Sequence, residues 1–147
     1  MVKYRAIATD STPKTTETKT ETARTKPRTK IRFLLDENLS PDLKISLLRL
    51  NPNLDILRVG EPDAPPLGTL DPEILDYVAS FQRLFVTNNR RSMPGHLKNH
   101  WDKGGRIWGL LWLRPSANLE IWAEELYLIW EASEAEEWID RVDWIPF

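Results

Sequence analysis

The chain contains no cysteine in its 147 residues. Disulfide scaffolds, iron–sulfur clusters and thiolate zinc sites are therefore excluded, and a reducing cytoplasm, the compartment expected for this chain, is permitted without being required. Glycine is scarce, at six residues, and none builds the turn that cradles phosphates. Gly104-Gly105 precedes a strand-like run instead of opening a helix. No window reaches the roughly 18 unbroken apolar residues of a membrane span, so no membrane partner is expected. The net charge of −2 names no partner by itself. What is present, 41% hydrophobic and 29% charged residues, suits one folded domain and excludes a wholly disordered chain or a fibre.

The charge is divided unevenly. Residues 1–30 carry a net +5, which leaves −7 on 31–147 against the chain's −2. Threonine crowds the same segment, at Thr9, Thr12, Thr15, Thr16, Thr18, Thr20, Thr22, Thr25 and Thr29, and apolar residues are almost missing after Ile7. Too little surface can be buried there to offset chain entropy, so 1–30 reads as a disordered basic tail. It lacks the apolar core of a secretory signal, and its acids and missing amphipathic period argue against a transit peptide. A solubilising extension is the favoured role over a nucleic-acid arm.

From residue 31 the pattern alternates. Ile31 to Leu35 is a short apolar run of the kind buried in a parallel sheet. Ser40-Pro41-Asp42 opens a helix with Ser40 as cap. Asn51-Pro52-Asn53 ends it, and Leu54 to Val59 reads as a second strand. A proline-rich loop spans 60–70, and Asp71-Pro72-Glu73 has the form of another helix start. Arg83 to Thr87 is a third strand, followed by a polar loop and a short helix from Pro94 to Asp102. Ile107 to Leu113 is a fourth strand, and Ser116 caps the longest helix. A helical turn around Trp138 and a fifth strand from Val142 to Phe147 complete the chain. This alternation predicts an α/β fold: three layers, α/β/α, around a mainly parallel sheet, with 31–147 as the single folded domain.

In such sheets functional groups gather at the carboxyl ends of strands. Asp36-Glu37-Asn38 follows the first strand, and Thr87-Asn88-Asn89-Arg90-Arg91 follows the third. They share a crevice if those strands are neighbours, and Asp71 at its helix start can join them. Converging carboxylates suit a hard cation, Mg²⁺ or Mn²⁺, that activates water and neutralises a phosphodiester. Plainer roles stand beside these: Asp71 as an N-cap, Asn88-Asn89 as a turn, and Thr87 as a strand end. Arg90 and Arg91 fit either phosphate or a solvated loop. His96 and His100 lie one helical turn apart, but a third zinc ligand is not evident, and His96 fits better as a phosphate contact or an acid near the crevice. All seven tryptophans fall in the second half, where packing in the core or against a partner explains them better than base stacking. A phosphorelay receiver would need a lysine after the fourth strand, where Leu113-Arg114-Pro115 has none.

FLLDENLSPDL, then LDPEILDYV, then RLFVTNNRRSMPGH together resemble a bacterial family of PIN-like domains of uncharacterised function. The likeness covers residues 31 to about 100. It implies a PIN-like fold and a metal-dependent ribonuclease, of the kind that is often the toxin of a toxin–antitoxin pair. Asp36 then takes the place of the first metal-binding acid and Asp71 the second. Asn89 stands where relatives often carry a third acid, offering a carbonyl oxygen without charge. The catalytic set implied is Asp36, Asp71 and Asn89, with Mg²⁺ or Mn²⁺ on Asp36 and Asp71, and with Thr87, Arg90, Arg91 and His96 towards RNA. Glu37, Glu73 and Asp63 are candidates to compensate for the missing acid. RNA, a small antitoxin protein and a second copy of the chain in a homodimer are the partners implied. The missing acid also supports an alternative, a catalytically weak or inactive PIN-like interaction module.

Overall fold

Four-residue strands, apolar at the centre of the sheet, alternate with amphipathic helices in the structure, a computed structural model that describes residues 29–147. The elements run β1 (Arg32–Leu35), α1 (Pro41–Leu50), β2 (Asp55–Arg58), α2 (Asp71–Phe81), β3 (Leu84–Thr87), α3 (Met93–Asp102), β4 (Leu110–Leu113), α4 (Leu119–Ala132), a 3₁₀ turn (Ala135–Trp138) and β5 (Val142–Ile145). All neighbouring strands pair in parallel, in the order β2-β1-β3-β4-β5. The first 28 residues of the basic segment lie outside the described residues. Its last two are attached to the fold: Thr29 O accepts from Ala135 N at 2.9 Å, and Lys30 Nζ sits 4.1 Å from the centre of the Trp130 ring.

Side chains alternate across each strand, so the sheet has two apolar faces, each covered by helices. On one, Phe33, Leu35, Val86 and Leu111 meet Leu43 and Leu47 of α1 and Leu126 and Ile129 of α4. On the other, Leu34, Phe85 and Leu110 meet Ile74, Leu75 and Val78 of α2 and Met93 and Leu97 of α3. This is the three-layer α/β/α arrangement that the alternation predicts, with every strand parallel.

Three local expectations are corrected. The fourth strand begins at Leu110 instead of Ile107, because Gly109 adopts φ +108°, which no strand residue holds. A Cβ on Gly109 would lie 2.9 Å from Leu84 Cγ and 3.0 Å from Trp138 Cβ, so both its backbone angle and its missing side chain are needed. The longest helix is capped by Asn118, whose Oδ1 accepts from Ile121 N at 3.0 Å, and not by Ser116; a turn from Arg114 to Ala117 takes up the preceding residues. The N-cap of α2 is Leu70, which makes no side-chain cap bond. Asp71 is already the first helical residue, and its carboxylate is turned to another use.

Candidate active site

The sheet order reverses direction at β1, since β1 leads out to β2 on one side and to β3 on the other. The two crossovers, through α1 and α2, lie on opposite faces, which makes the carboxyl ends of β1 and β3 the switch point where such sheets place a ligand crevice. Among the described residues only three polar or charged residues are buried: Asp36, Arg83 and Thr87. Arg83 lies at the amino end of β3, where it donates to Phe33 O at 2.9 Å and pairs with Asp55 at 2.9 Å. The other two meet at the mouth of the crevice.

Asp36 continues β1, its N–H donating to Val86 O at 3.0 Å. Thr87 Oγ1 donates to Asp36 Oδ2 at 2.7 Å, and Glu37 N donates to Oδ1 at 2.8 Å. Burial pushes the Asp36 carboxyl above the ordinary aspartate range. The bonds from Thr87 and the Glu37 amide offset part of that rise, and the charges of Asp71 and Glu37 add to it. A buried acid held by two donors, and near enough to a second acid to be repelled by it, is unfavourable for folding alone.

A hydrogen-bonded chain links that acid to Asp71. Thr87 Oγ1 accepts from Asn89 N at 3.0 Å; Asn89 Nδ2 donates to Asp71 Oδ2 at 3.1 Å; Ser92 Oγ donates to the same oxygen at 3.0 Å. Asn89 Oδ1 accepts from Arg91 N at 3.3 Å. This pair of contacts fixes the amide's orientation, since the reverse would set an oxygen against the carboxylate and an NH₂ against an N–H. Asn89 therefore faces Asp71 with its NH₂, while its carbonyl oxygen, the expected neutral metal donor, is engaged by Arg91. Asp71 Oδ1 has no hydrogen bond among the described residues.

The remaining candidates divide. Arg90 and Arg91 are exposed beside the crevice, and the Arg90 guanidinium lies 5.3 Å from the Trp144 ring centre. His96 is half-buried on α3. His100 is not its partner in a zinc pair: Nε2 meets Arg106 O at 2.8 Å, and Nδ1 lies 3.6 Å from Asp76. Glu37 does not replace the missing acid, because its Oε1 accepts from Gly68 N at 2.9 Å and pins the loop that delivers Asp71. Glu73 and Asp63 are exposed, and Asp63 is held through its backbone carbonyl by Tyr77 Oη at 2.6 Å.

Sequence reasoning missed two contributors. Ser92 was one residue of a polar loop; its role as a donor to Asp71 needs α2 and α3 side by side. Arg58 at the end of β2 donates through Nη2 to Leu39 O at 2.9 Å and Glu37 O at 3.4 Å, tying down the turn after Asp36. Its Nε is buried without a partner among the described residues.

No family model, no curated protein and no solved structure matches this chain.

Among the described residues no three His, Asp or Glu side chains converge as a ligand set. The carboxylates at the switch point are Asp36, whose two oxygens each accept one hydrogen bond, and Asp71, whose Oδ2 accepts two. Two carboxylates, completed by water and a substrate phosphate, match the way Mg²⁺ is usually held. Oxygen donors of this kind suit that ion and Mn²⁺ better than zinc, which takes nitrogen and sulfur more readily.

Proposed function

We propose that this chain is a PIN-like, metal-dependent ribonuclease acting in the cytoplasm, with Asp36 and Asp71 holding Mg²⁺ or Mn²⁺. The observation that carries this reading is the buried Asp36, joined through Thr87 and Asn89 to Asp71 at the sheet's switch point. The two hydrogen bonds to Asp36 only partly offset the cost of its burial, and a bound cation would offset more of it. When bound, the cation supplies charge neutralisation at the phosphodiester and lowers the pKa of the attacking water.

The chain's own residues do the positioning. Thr87 holds Asp36 Oδ2 and fixes the carboxylate plane. Asn89 and Ser92 hold Asp71 through Oδ2, which leaves Oδ1 for a ligand. Arg90 and Arg91 stand at the rim, where guanidinium forks suit phosphate. The raised pKa of Asp36 means that a proton competes with the cation up to a higher pH than at an ordinary aspartate.

Purified protein should cleave RNA with Mn²⁺ or Mg²⁺ and stop when the metal is chelated. Asp36→Asn and Asp71→Asn should each lower turnover by at least about 100-fold. Cleavage that persists under chelation, or an Asp36→Asn variant with normal turnover, defeats the reading.

One observation favours the alternative, a non-catalytic PIN-like module that binds a small partner such as an antitoxin or a second copy of the chain. Asn89 and Ser92 already satisfy Asp71 Oδ2 with hydrogen bonds, as a metal would with charge. Calorimetric titration separates the two: heat from Mn²⁺ binding that disappears in Asp36→Asn supports the ribonuclease, and no heat in the wild type supports the module.

A further inference from the structure

The row that begins with Asp36 continues across the sheet. Asp36 follows Leu35, the partner of Val86, and so lies level with Thr87; Thr87 pairs with Trp112, and Trp112 with Trp144. The carboxyl edge is therefore polar over β1 and β3 and aromatic over β4 and β5. Trp112 and Trp144 stack at 5.7 Å with 28° between their planes. Two guanidinium groups lie over the Trp144 ring, Arg90 at 5.3 Å and Arg114 at 5.4 Å from its centre. Arg114 is further fixed by its Nε, which donates to Pro146 O at 2.7 Å.

Arg90 and Arg114 are set apart by sharing one ring, since Arg32, Arg49, Arg58 and Arg91 also meet no carboxylate among the described residues. Arg83, Arg106 and Arg141 face Asp55, Asp140 and Asp143. Arg90 and Arg114 are exposed, and neither meets a carboxylate among the described residues. The aromatic ring holds two like charges close together without neutralising either, which favours an anion bound from outside. Beside them lies a cleft of about 260 Å³ lined by Asn88, Arg90, Leu113, Pro115 and Trp122. It is smaller than the pockets of about 300–1,000 Å³ that enclose whole ligands. Its apolar walls and cationic rim suit one repeat of a polymer that carries a flat apolar group next to an anion.

We infer that the carboxyl edge of β3, β4 and β5 is a binding track for a single-stranded polynucleotide. A backbone phosphate lies on Arg90 and Arg114, and the adjoining base enters the cleft beside Trp122. A duplex does not fit, because its bases are already stacked inside the helix. The inference rests on the phosphodiester reading of the Asp36 crevice, since the track leads the strand into that crevice through Arg90. It adds Arg114 and Trp122 to the residues that face substrate, with Trp144 as the ring that positions the two guanidinium groups.

The test separates binding from cleavage. Affinity for a short fluorescent oligouridylate is measured without metal, in the Asp36→Asn background, over a salt series. Arg90→Gln and Arg114→Gln should each weaken binding about tenfold and reduce the slope of log affinity against log salt by about 0.7. Trp144→Leu should weaken binding by releasing both guanidinium groups. Arg49→Gln, in the last turn of α1, should change neither quantity. Circular dichroism melts confirm that each variant is folded. An unchanged slope in both arginine variants overturns the inference. So does equal loss in Arg49→Gln, or equal or tighter binding of duplex RNA or polyglutamate. Failure of the nuclease reading shows instead as metal-dependent cleavage that never occurs while binding stays intact.

Discussion

An aspartate at 9% exposure imposes a cost that its neighbours only partly relieve. With its folded pKa raised, Asp36 binds a proton more tightly in the folded state than in the unfolded chain. Stability therefore falls as pH rises from the ordinary aspartate range through the raised value, and the cost is complete above it. Asp36→Asn keeps the size of the side chain and removes the charge. It should melt at a higher temperature than the wild type at neutral pH, and the difference should close below the ordinary aspartate pKa, where both side chains are neutral. Thermal melts across a pH series measure this, and a variant that melts lower at neutral pH refutes it. Thr87 is the complementary residue, because its hydroxyl lowers the Asp36 pKa. On the proposed ribonuclease reading, Thr87→Val should move the acid limb of a Mn²⁺-dependent rate profile to higher pH, with a loss of about 10–100-fold on that limb. Thr87→Ser keeps the donor and should leave the limb in place.

Elements follow rules that are local, so most of them were readable. Short apolar runs such as Phe33 to Leu35 and Leu84 to Val86 have little choice but burial between two helical layers. Ser40 caps α1 as its position before Pro41 suggests, with Oγ accepting from Asp42 N at 3.2 Å. Asp71 heads the same cap-Pro-acid spelling and is not a cap, because the loop before α3 brings Asn89 and Ser92 to its carboxylate. That competition comes from an element 18 and more residues away, and local spacing cannot express it. The Asp36–Thr87 bond spans 51 residues and exists only because β1 pairs with β3, a matter of strand order. The orientation of the Asn89 amide was hidden for the same reason. Gly109 shows where a strand pattern misleads: Ile107 to Leu113 is apolar throughout, yet φ +108° at Gly109 delays β4. Gly109→Ala should cost about 2 kcal/mol or more, from a backbone angle unsuited to a Cβ and from contacts near 3 Å to Leu84 and Trp138. Urea unfolding checks this; a midpoint unchanged from wild type would show that the turn relaxes freely.

At the scale of the molecule the charge is arranged against simple electrostatic capture. The part from residue 31 onward carries −7, and a polyanion approaching it from a distance meets net repulsion. Arg90, Arg91 and Arg114 make one edge locally positive, but their reach is limited to about 10 Å at 0.1 M salt. If a polynucleotide binds that edge, longer-range attraction has to come from the basic first segment, in addition to the solubilising role expected of it, with Lys3, Arg5, Lys14, Lys19, Arg24, Lys26 and Arg28 all before the first described residue. A chain that starts at Thr29 keeps the Thr29–Ala135 hydrogen bond and the Lys30 contact with Trp130, and so keeps the attachments that the fold itself uses. Relative to the full chain, it should associate with oligouridylate more slowly at low salt, by about tenfold or more, with the gap narrowing as salt is raised. Its dissociation rate should change less, because the contacts that hold the bound strand lie on the sheet edge. Stopped-flow association at several salt concentrations reads both rates. An association rate that does not respond to the truncation would mean that the edge arginines alone overcome the acidic surface, and that the first segment serves solubility instead of capture.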